Sequence, residues 1–232
     1  MAEKIVGILG GMGPEATVDL FAKIVAATPA STDQEHLHII IDNNAKIPSR
    51  QAKLLGNGDD PTPLLQSTAS NLERAGADFI VIACNTAHFF FDRIVEAVQI
   101  PVLHIADETV DEVLRRFPET RTVGVLASTA TARLRLYHDR LQARGLQAIS
   151  PAESDQEILQ SAIFSVKAGD KGPAVREKVS GVAERLAAQG AQVLLTACTE
   201  LPLVLQDGDV KVPVVDPTQV LAAAVVRFAR GR

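Results

Sequence analysis

Two thiols are the chemistry-bearing residues whose settings match: Cys84 and Cys198. Residues 76–84 read GADFIVIAC and residues 190–198 read GAQVLLTAC, so each cysteine closes an apolar, strand-like segment. Each is followed by polar residues able to open a helix, Asn85-Thr86 and Thr199-Glu200. In open parallel sheets, ligands bind at the carboxyl ends of strands. A thiol there, beside helix-start N–H groups, is expected to have its pKa lowered from ~8.5 toward a reactive value. Two such thiols suit one task in particular. Inverting a carbon that bears a hydrogen needs one group to take the proton from one face and another to return a proton to the opposite face. A thiol/thiolate pair does this in both directions, since good general acids and bases have pKa values near the working pH. A free cysteine is often only a small buried hydrophobe. The polar run after each sulfur, in duplicate, argues for chemistry here.

The duplication extends beyond the cysteines. Their offset is 114 residues (198 − 84); Val6-Gly7-Ile8-Leu9 is echoed by Val123-Gly124-Val125-Leu126 at 117 (124 − 7), and Ile100-Pro101-Val102 by Val212-Pro213-Val214 at 112 (213 − 101). Three ordered echoes at nearly one offset indicate two similar units in one chain. Short β-branched runs alternate with amphipathic stretches, the pattern of βαβ units with parallel sheets. Strands are expected at Lys4–Leu9, His36–Asp42, Phe79–Ala83 and Pro101–Ile105, then at Thr122–Ala127, Gln147–Ser150, Val193–Ala197 and Val212–Asp216. Helices are expected at Pro14–Ala27, Pro63–Ala75, from near Thr86, and at about Asp107–Phe117. They resume at Ala130–Arg144, Ser154–Ala168, Gly172–Gln189 and Pro217–Ala229. The fold class is therefore α/β, with two α/β domains, each a parallel sheet of about four strands flanked by helices. The expected partition is 1–105 plus 212–232 for the first domain and 106–211 for the second. No linker-like stretch separates them, so a tight pair sharing a crevice is expected, with one cysteine on each side.

Composition limits the alternatives. With 47 % apolar residues, 4 % aromatic and no Trp, the core must be aliphatic, which suits buried parallel strands. A net charge of −5 with no run of Lys or Arg argues against a nucleic-acid partner. No apolar run approaches the ~20 residues of a membrane helix. The apolar segment Ile5–Leu9 is broken by Gly10 and Gly11, too short for a secretory signal, so a cytoplasmic location is expected. Reduced thiols are the expectation there. Two cysteines are too few for a structural zinc site, and no His/Cys/Asp cluster suggests a metal.

Three motifs carry a family resemblance: GILGGMGPEAT (Gly7–Thr17), CNTAH (Cys84–His88) and ACTELP (Ala197–Pro202). In order and spacing they resemble the aspartate/glutamate racemases, above all the cofactor-independent aspartate racemases, over essentially the whole chain. The resemblance implies two pseudo-two-fold-related domains, an active site in the interdomain cleft, a homodimer, no cofactor and a small dicarboxylic amino acid as substrate. It implies that Cys84 and Cys198 are the catalytic pair, and that Asn85, Thr86 and Thr199 hold the α-carboxylate. Gly11 and Met12 would line the cleft floor, where missing side chains let backbone N–H groups approach an anion. Arg50, in Ile47-Pro48-Ser49-Arg50, and Lys167, in Val166-Lys167-Ala168-Gly169, would bind the distal carboxylate. Burying that charge unpaired would cost several kcal/mol, part of which a charge-assisted pair recovers. The pattern departs at Ala127-Ser128-Thr129-Ala130-Thr131: Thr131 remains as a substrate contact, but Ala130 stands where the family has Gly, and Leu134-Arg135 replaces a Ser-Gly pair. These changes bear on the substrate wall.

Other residues keep other readings open. Gly11-x-Gly13-x-x-Ala16 fits a dinucleotide fingerprint, although the acidic partner is met only loosely, by Asp42. A nucleotide-dependent oxidoreductase and a non-catalytic small-anion binder are the alternatives of other classes; a broad-specificity racemase and a maleate isomerase are alternatives on the same scaffold. His88 either tunes the Cys84 thiol or caps a turn. His104 and Asp216 occupy equivalent strand ends. Glu200 either orients the site or acts as a helix-start acid, with the site role favoured, and His36, His38 and His138 are expected at the surface.

Overall fold

In the computed structural model, which describes residues 3–231, the chain runs as two βα series in succession. The first contains β1 (Val6–Gly10), α1 (Pro14–Ala27), β2 (Ile39–Asn43), α2 (Arg50–Leu54), α3 (Thr62–Arg74), β3 (Phe79–Ile82), α4 (Phe91–Val95), β4 (Val102–Leu103) and α5 (Ile105–Arg116). The second contains β5 (Thr122–Ala127), α6 (Thr129–Arg133), α7 (His138–Ala143), β6 (Gln147–Ile149), α8 (Glu153–Lys167), α9 (Pro173–Ala188), β7 (Val193–Ala197) and β8 (Val214–Val215), and α10 (Pro217–Ala229) follows. The strands form two four-stranded sheets, β2-β1-β3-β4 and β6-β5-β7-β8, with every pairing parallel. The duplication read from the residues thus recurs as one strand order used twice.

Two compact units result, Met1–Glu108 with Thr218–Arg232, and Thr109–Pro217. The segment 212–217 falls in the second unit, not in the first as the sequence partition had it. Its strand β8 pairs with β7, Leu194 opposite Val214 and Leu195 opposite Val215. Helix α10 returns to the first unit because its apolar stripe (Leu221, Ala222, Val225) packs with Val6, Ile8, Phe79 and Val81 from one face of β1 and β3. Their alternate residues, Leu9, Ile80 and Ile82, face the other way onto Leu65, Ala69 and Leu72 of α3. Both faces are covered, which is why these strands read as unbroken apolar runs. In the second unit, Leu126 and Leu194 pack beneath Leu159 and Ile163 of α8 and Val179, Val182 and Leu186 of α9. Each fully buried Leu, Ile or Val stabilises such a layer by about 1.5–3 kcal/mol.

The expected single helix over Ala130–Arg144 is instead two short ones. Arg135 adopts φ 60° between them, a conformation that ends a right-handed helix. Helix α2 was not foreseen. Ser49 caps it, accepting a hydrogen bond from Ala52 N at 3.2 Å. His138, expected at the surface, is buried, with Nε2 2.7 Å from the Ser150 hydroxyl. Among the described residues no helix is long and apolar enough to cross a membrane.

Candidate active site

The first unit gathers its share of the site around the end of β3. Cys84 follows that strand after one intervening residue, is 6 % exposed, and shares a cluster with Met12, Ile47 and Ala87. Asn85 and Thr86 are buried with it, and a 3-10 turn, Thr86–Phe90, begins at once. His88 locks this turn. Its Nε2 accepts from the Ile105 backbone N–H at 3.2 Å, which leaves the proton on Nδ1, donated to the Cys84 carbonyl at 2.9 Å. Of the two roles weighed for His88, the contacts match the structural one: a buried brace joining the Cys84 turn to the start of α5. Its ring also meets His104 edge-on, with centroids 4.6 Å apart. His104 itself caps α5, accepting from Ala106 N at 3.2 Å. Removing the brace in His88→Ala leaves a buried donor and acceptor unsatisfied, at about 1–3 kcal/mol. We expect a lower thermal midpoint, which a melting curve reads.

The glycine-rich loop after β1 is held from two sides. The Thr17 hydroxyl accepts from Gly11 N at 2.9 Å and donates to Gly13 O at 3.2 Å. Arg50, at the start of α2, donates to Ile47 O at 2.9 Å, Pro48 O at 2.7 Å and, more loosely, Met12 O at 3.4 Å. All three are carbonyls, and among the described residues no carboxylate pairs with this guanidinium. Its Nε is buried without a protein partner. Arg50 is thus a loop brace with donor capacity left over. Thr17 escaped the sequence reading except as a letter in a motif; its position one helical turn after the glycines was the available signal.

The second unit repeats the plan at the end of β7. Cys198 is 6 % exposed, with Thr199 and Glu200 buried beside it and a short 3-10 turn, Leu201–Leu203, following. Its Sγ lies 3.0 Å from Glu200 Oε2, and Glu200 Oε1 lies 2.5 Å from Lys167 Nζ at the end of α8. At the end of β5, Ser128 caps α6, and its hydroxyl lies 3.0 Å from the Thr131 hydroxyl, with both residues buried. Ser128 was not singled out from sequence, although a serine opening a helix is a recognisable cap. Tyr137 is wholly buried, hydrogen-bonded to Thr109 and in electrostatic contact with Cys198 and Asp216; burial foremost pushes its hydroxyl pKa up.

One expectation is overturned here. A helix start was expected to lower the thiol pKa, but burial first, then the charge of Glu200, push the Cys198 thiol well up, with Lys167 only partly opposing. The reason is geometric: a three-residue 3-10 turn sums few peptide dipoles, while an anion sits against the sulfur. Lys167, assigned from sequence to a substrate carboxylate, already has a carboxylate of the protein. Among the described residues no cluster of three or more His, Cys, Asp or Glu is placed to hold a metal ion.

Residues 9–225 match the Asp/Glu/Hydantoin racemase family. The chain belongs to that family. Racemases are isomerases, and the fold is shared with solved members. Picrophilus torridus aspartate racemase is 32 % identical, with a TM-score of 0.88 over 98 % of this chain and 94 % of that one. An aspartate racemase homologue from Pyrococcus horikoshii is 27 % identical, with a TM-score of 0.79 over 98 % of this chain and 99 % of that one. The broad specificity amino-acid racemase RacX of Bacillus subtilis is 28 % identical over 96 % of each chain.

Proposed function

We propose that this protein interconverts L- and D-aspartate without a cofactor, Cys84 and Cys198 exchanging the Cα proton. The observation that carries the reading is the pairing of two free, buried cysteines at equivalent strand ends of two like-ordered sheets, each opening a 3-10 turn. In this reading Cys84 serves one face of the substrate carbon and Cys198 the other. Asn85, Thr86, Thr131 and Thr199 hold the α-carboxylate and ammonium, and N–H groups around Gly11 and Met12 add donors. The un-neutralised charge of Arg50 supports a distal carboxylate. The likeness to an aspartate racemase at 32 % identity supports the same substrate.

A second reading, broad specificity with glutamate and neutral amino acids accepted, is favoured by one contact. Lys167 is already paired with Glu200, so the second unit offers a distal carboxylate little net attraction. The similarity to RacX points the same way. Incubation of the pure protein with L-aspartate, L-glutamate or L-alanine in D₂O tests both readings: D-aspartate deuterated at Cα is the expected product. Failure to form any D-enantiomer would sink the first reading and the second together. Arg50→Ala is expected to raise KM for aspartate by about tenfold or more, and for alanine far less, since one charge-assisted hydrogen bond is worth about 1.5–3 kcal/mol. An equal rise for both would confine Arg50 to holding its loop.

A further inference from the structure

Racemisation by two thiols does not by itself call for a carboxylate against one of them, yet Cys198 has one. Glu200 Oε2 lies 3.0 Å from Cys198 Sγ, and the other oxygen, Oε1, lies 2.5 Å from Lys167 Nζ. An ammonium at that distance favours the ionised carboxylate, and an ionised carboxylate only accepts hydrogen bonds. The hydrogen between sulfur and oxygen therefore belongs to sulfur. A thiolate would set two anions 3.0 Å apart with both residues buried. Tyr137, also in electrostatic contact with the sulfur, has its hydroxyl pushed up by burial and stays neutral, so it supplies no positive charge to favour a thiolate, and the charge of Asp216 lies against Tyr137. Lys167 and the Glu200 backbone N–H favour the thiolate, but the lysine charge is spent on the Glu200 carboxylate. Burial and the Glu200 charge push the Cys198 thiol up, in agreement with the geometry.

We propose that Glu200, clamped by Lys167, is a positioning residue that keeps the proton on Cys198 in the free enzyme, so that Cys198 enters the reaction as the acid and Cys84 as the base. The catalytic half of this inference rests on the two-cysteine reading above. The steps balance in protons, and no net oxidation occurs. Cys84 thiolate takes the Cα proton and becomes a thiol; Cys198 gives its proton to the opposite face and becomes a thiolate. The Cys198 thiolate then recovers a proton through Glu200 from the Lys167 ammonium, which is 29 % exposed and is reprotonated by water. Cys84 returns its proton to solvent. The enzyme thereby resets after each turnover instead of waiting for the opposite enantiomer.

Alkylation of the full chain without substrate tests this. Iodoacetamide is applied across neutral to alkaline pH, and carbamidomethylation of each cysteine is followed by peptide mass spectrometry. In the wild type, the midpoint of the Cys198 profile is expected above that of free glutathione. Glu200→Gln should lower this midpoint by about one to three pH units, the usual effect of a close charge, while Glu200→Asp keeps it high and the Cys84 profile stays put. Circular dichroism verifies that each variant is folded. A wild-type Cys198 midpoint at or below that of glutathione overturns the proposal without any variant, and so does an unmoved midpoint in folded Glu200→Gln. The two readings separate cleanly. Loss of D-aspartate formation in the D₂O assay with the expected alkylation profile removes the racemase reading and leaves the proton-holding role; racemisation with an unmoved midpoint does the reverse.

Discussion

Cys84→Ser and Cys198→Ser are each expected to cut racemisation by about 10³-fold, within the roughly 10²- to 10⁴-fold that one positioned acid or base contributes. Serine preserves the shape of each buried site, so the loss isolates proton-transfer chemistry from packing. A hydroxyl is too weak an acid to be ionised near neutral pH, and its conjugate base is not populated there. Cys198→Ser should still exchange the Cα hydrogen of one enantiomer with D₂O, because the Cys84 thiolate can remove and return a proton on its own face. Cys84→Ser should exchange either enantiomer far more slowly, because Glu200 holds the proton on the remaining Cys198. Proton NMR of L- and D-aspartate incubated separately with each variant reads both quantities. Racemisation at the wild-type rate in either variant rules out the two-base mechanism.

Gly11→Ala is expected to destabilise the protein by about 2–5 kcal/mol, the sum of a left-handed backbone penalty of roughly 1–2 kcal/mol and an overpacking cost of roughly 1–3 kcal/mol. Gly11 has φ 91°, and a Cβ there would lie 2.3 Å from Asn44 C, 2.5 Å from Asn44 O and 2.6 Å from Ala45 N. These are backbone atoms, which cannot rotate aside as a side chain would. At about 2–4 °C per kcal/mol for a chain of this size, the midpoint should fall by about 4–20 °C. Gly56→Ala is the control. Its φ is 89°, but nothing lies within 4 Å of the added Cβ, so only the backbone penalty applies. Equal melting temperatures for the two variants would remove the steric argument. Because the Gly11 N–H is bound by Thr17 and the next residue's carbonyl by Arg50, the same substitution should also disturb the loop assigned to substrate contact.

Much of the fold was legible because it follows from local periodicity. The expected bounds of α1, β5, β7 and α10 coincide with those observed. Each is either a run of buried aliphatics or a helix opened by proline, signals that do not depend on distant partners. The elements that went unseen are those without such a signal. Helix α2 is five residues, Arg50-Gln51-Ala52-Lys53-Leu54, none of them buried, so it carries no apolar stripe to read. The break between α6 and α7 falls at Leu134-Arg135-Leu136, where composition favours helix and only the backbone at Arg135 departs from it. The edge strands were overestimated for a related reason. Val212–Asp216 carries three valines, yet only Val214 and Val215 are in register with β7, and Pro213 adds no more than its carbonyl, accepting from Leu194 N at 2.9 Å.

Residue order by itself determined the family, the twofold repetition of βα units, the aliphatic sheets and the place of each cysteine after its strand. These depend on types and spacings along the chain. Tertiary structure alone decided the company those residues keep: Glu200 between Cys198 and Lys167, His88 between Cys84 and Ile105, Arg50 across to the Met12 carbonyl. The contacts of Lys167, Ile105 and Met12 join elements far apart in sequence, and for the nearer pairs periodicity carries no side-chain orientation. The protonation of Cys198 belongs to the second group for the same reason, since burial and a neighbouring anion outweigh what the turn after its strand could supply.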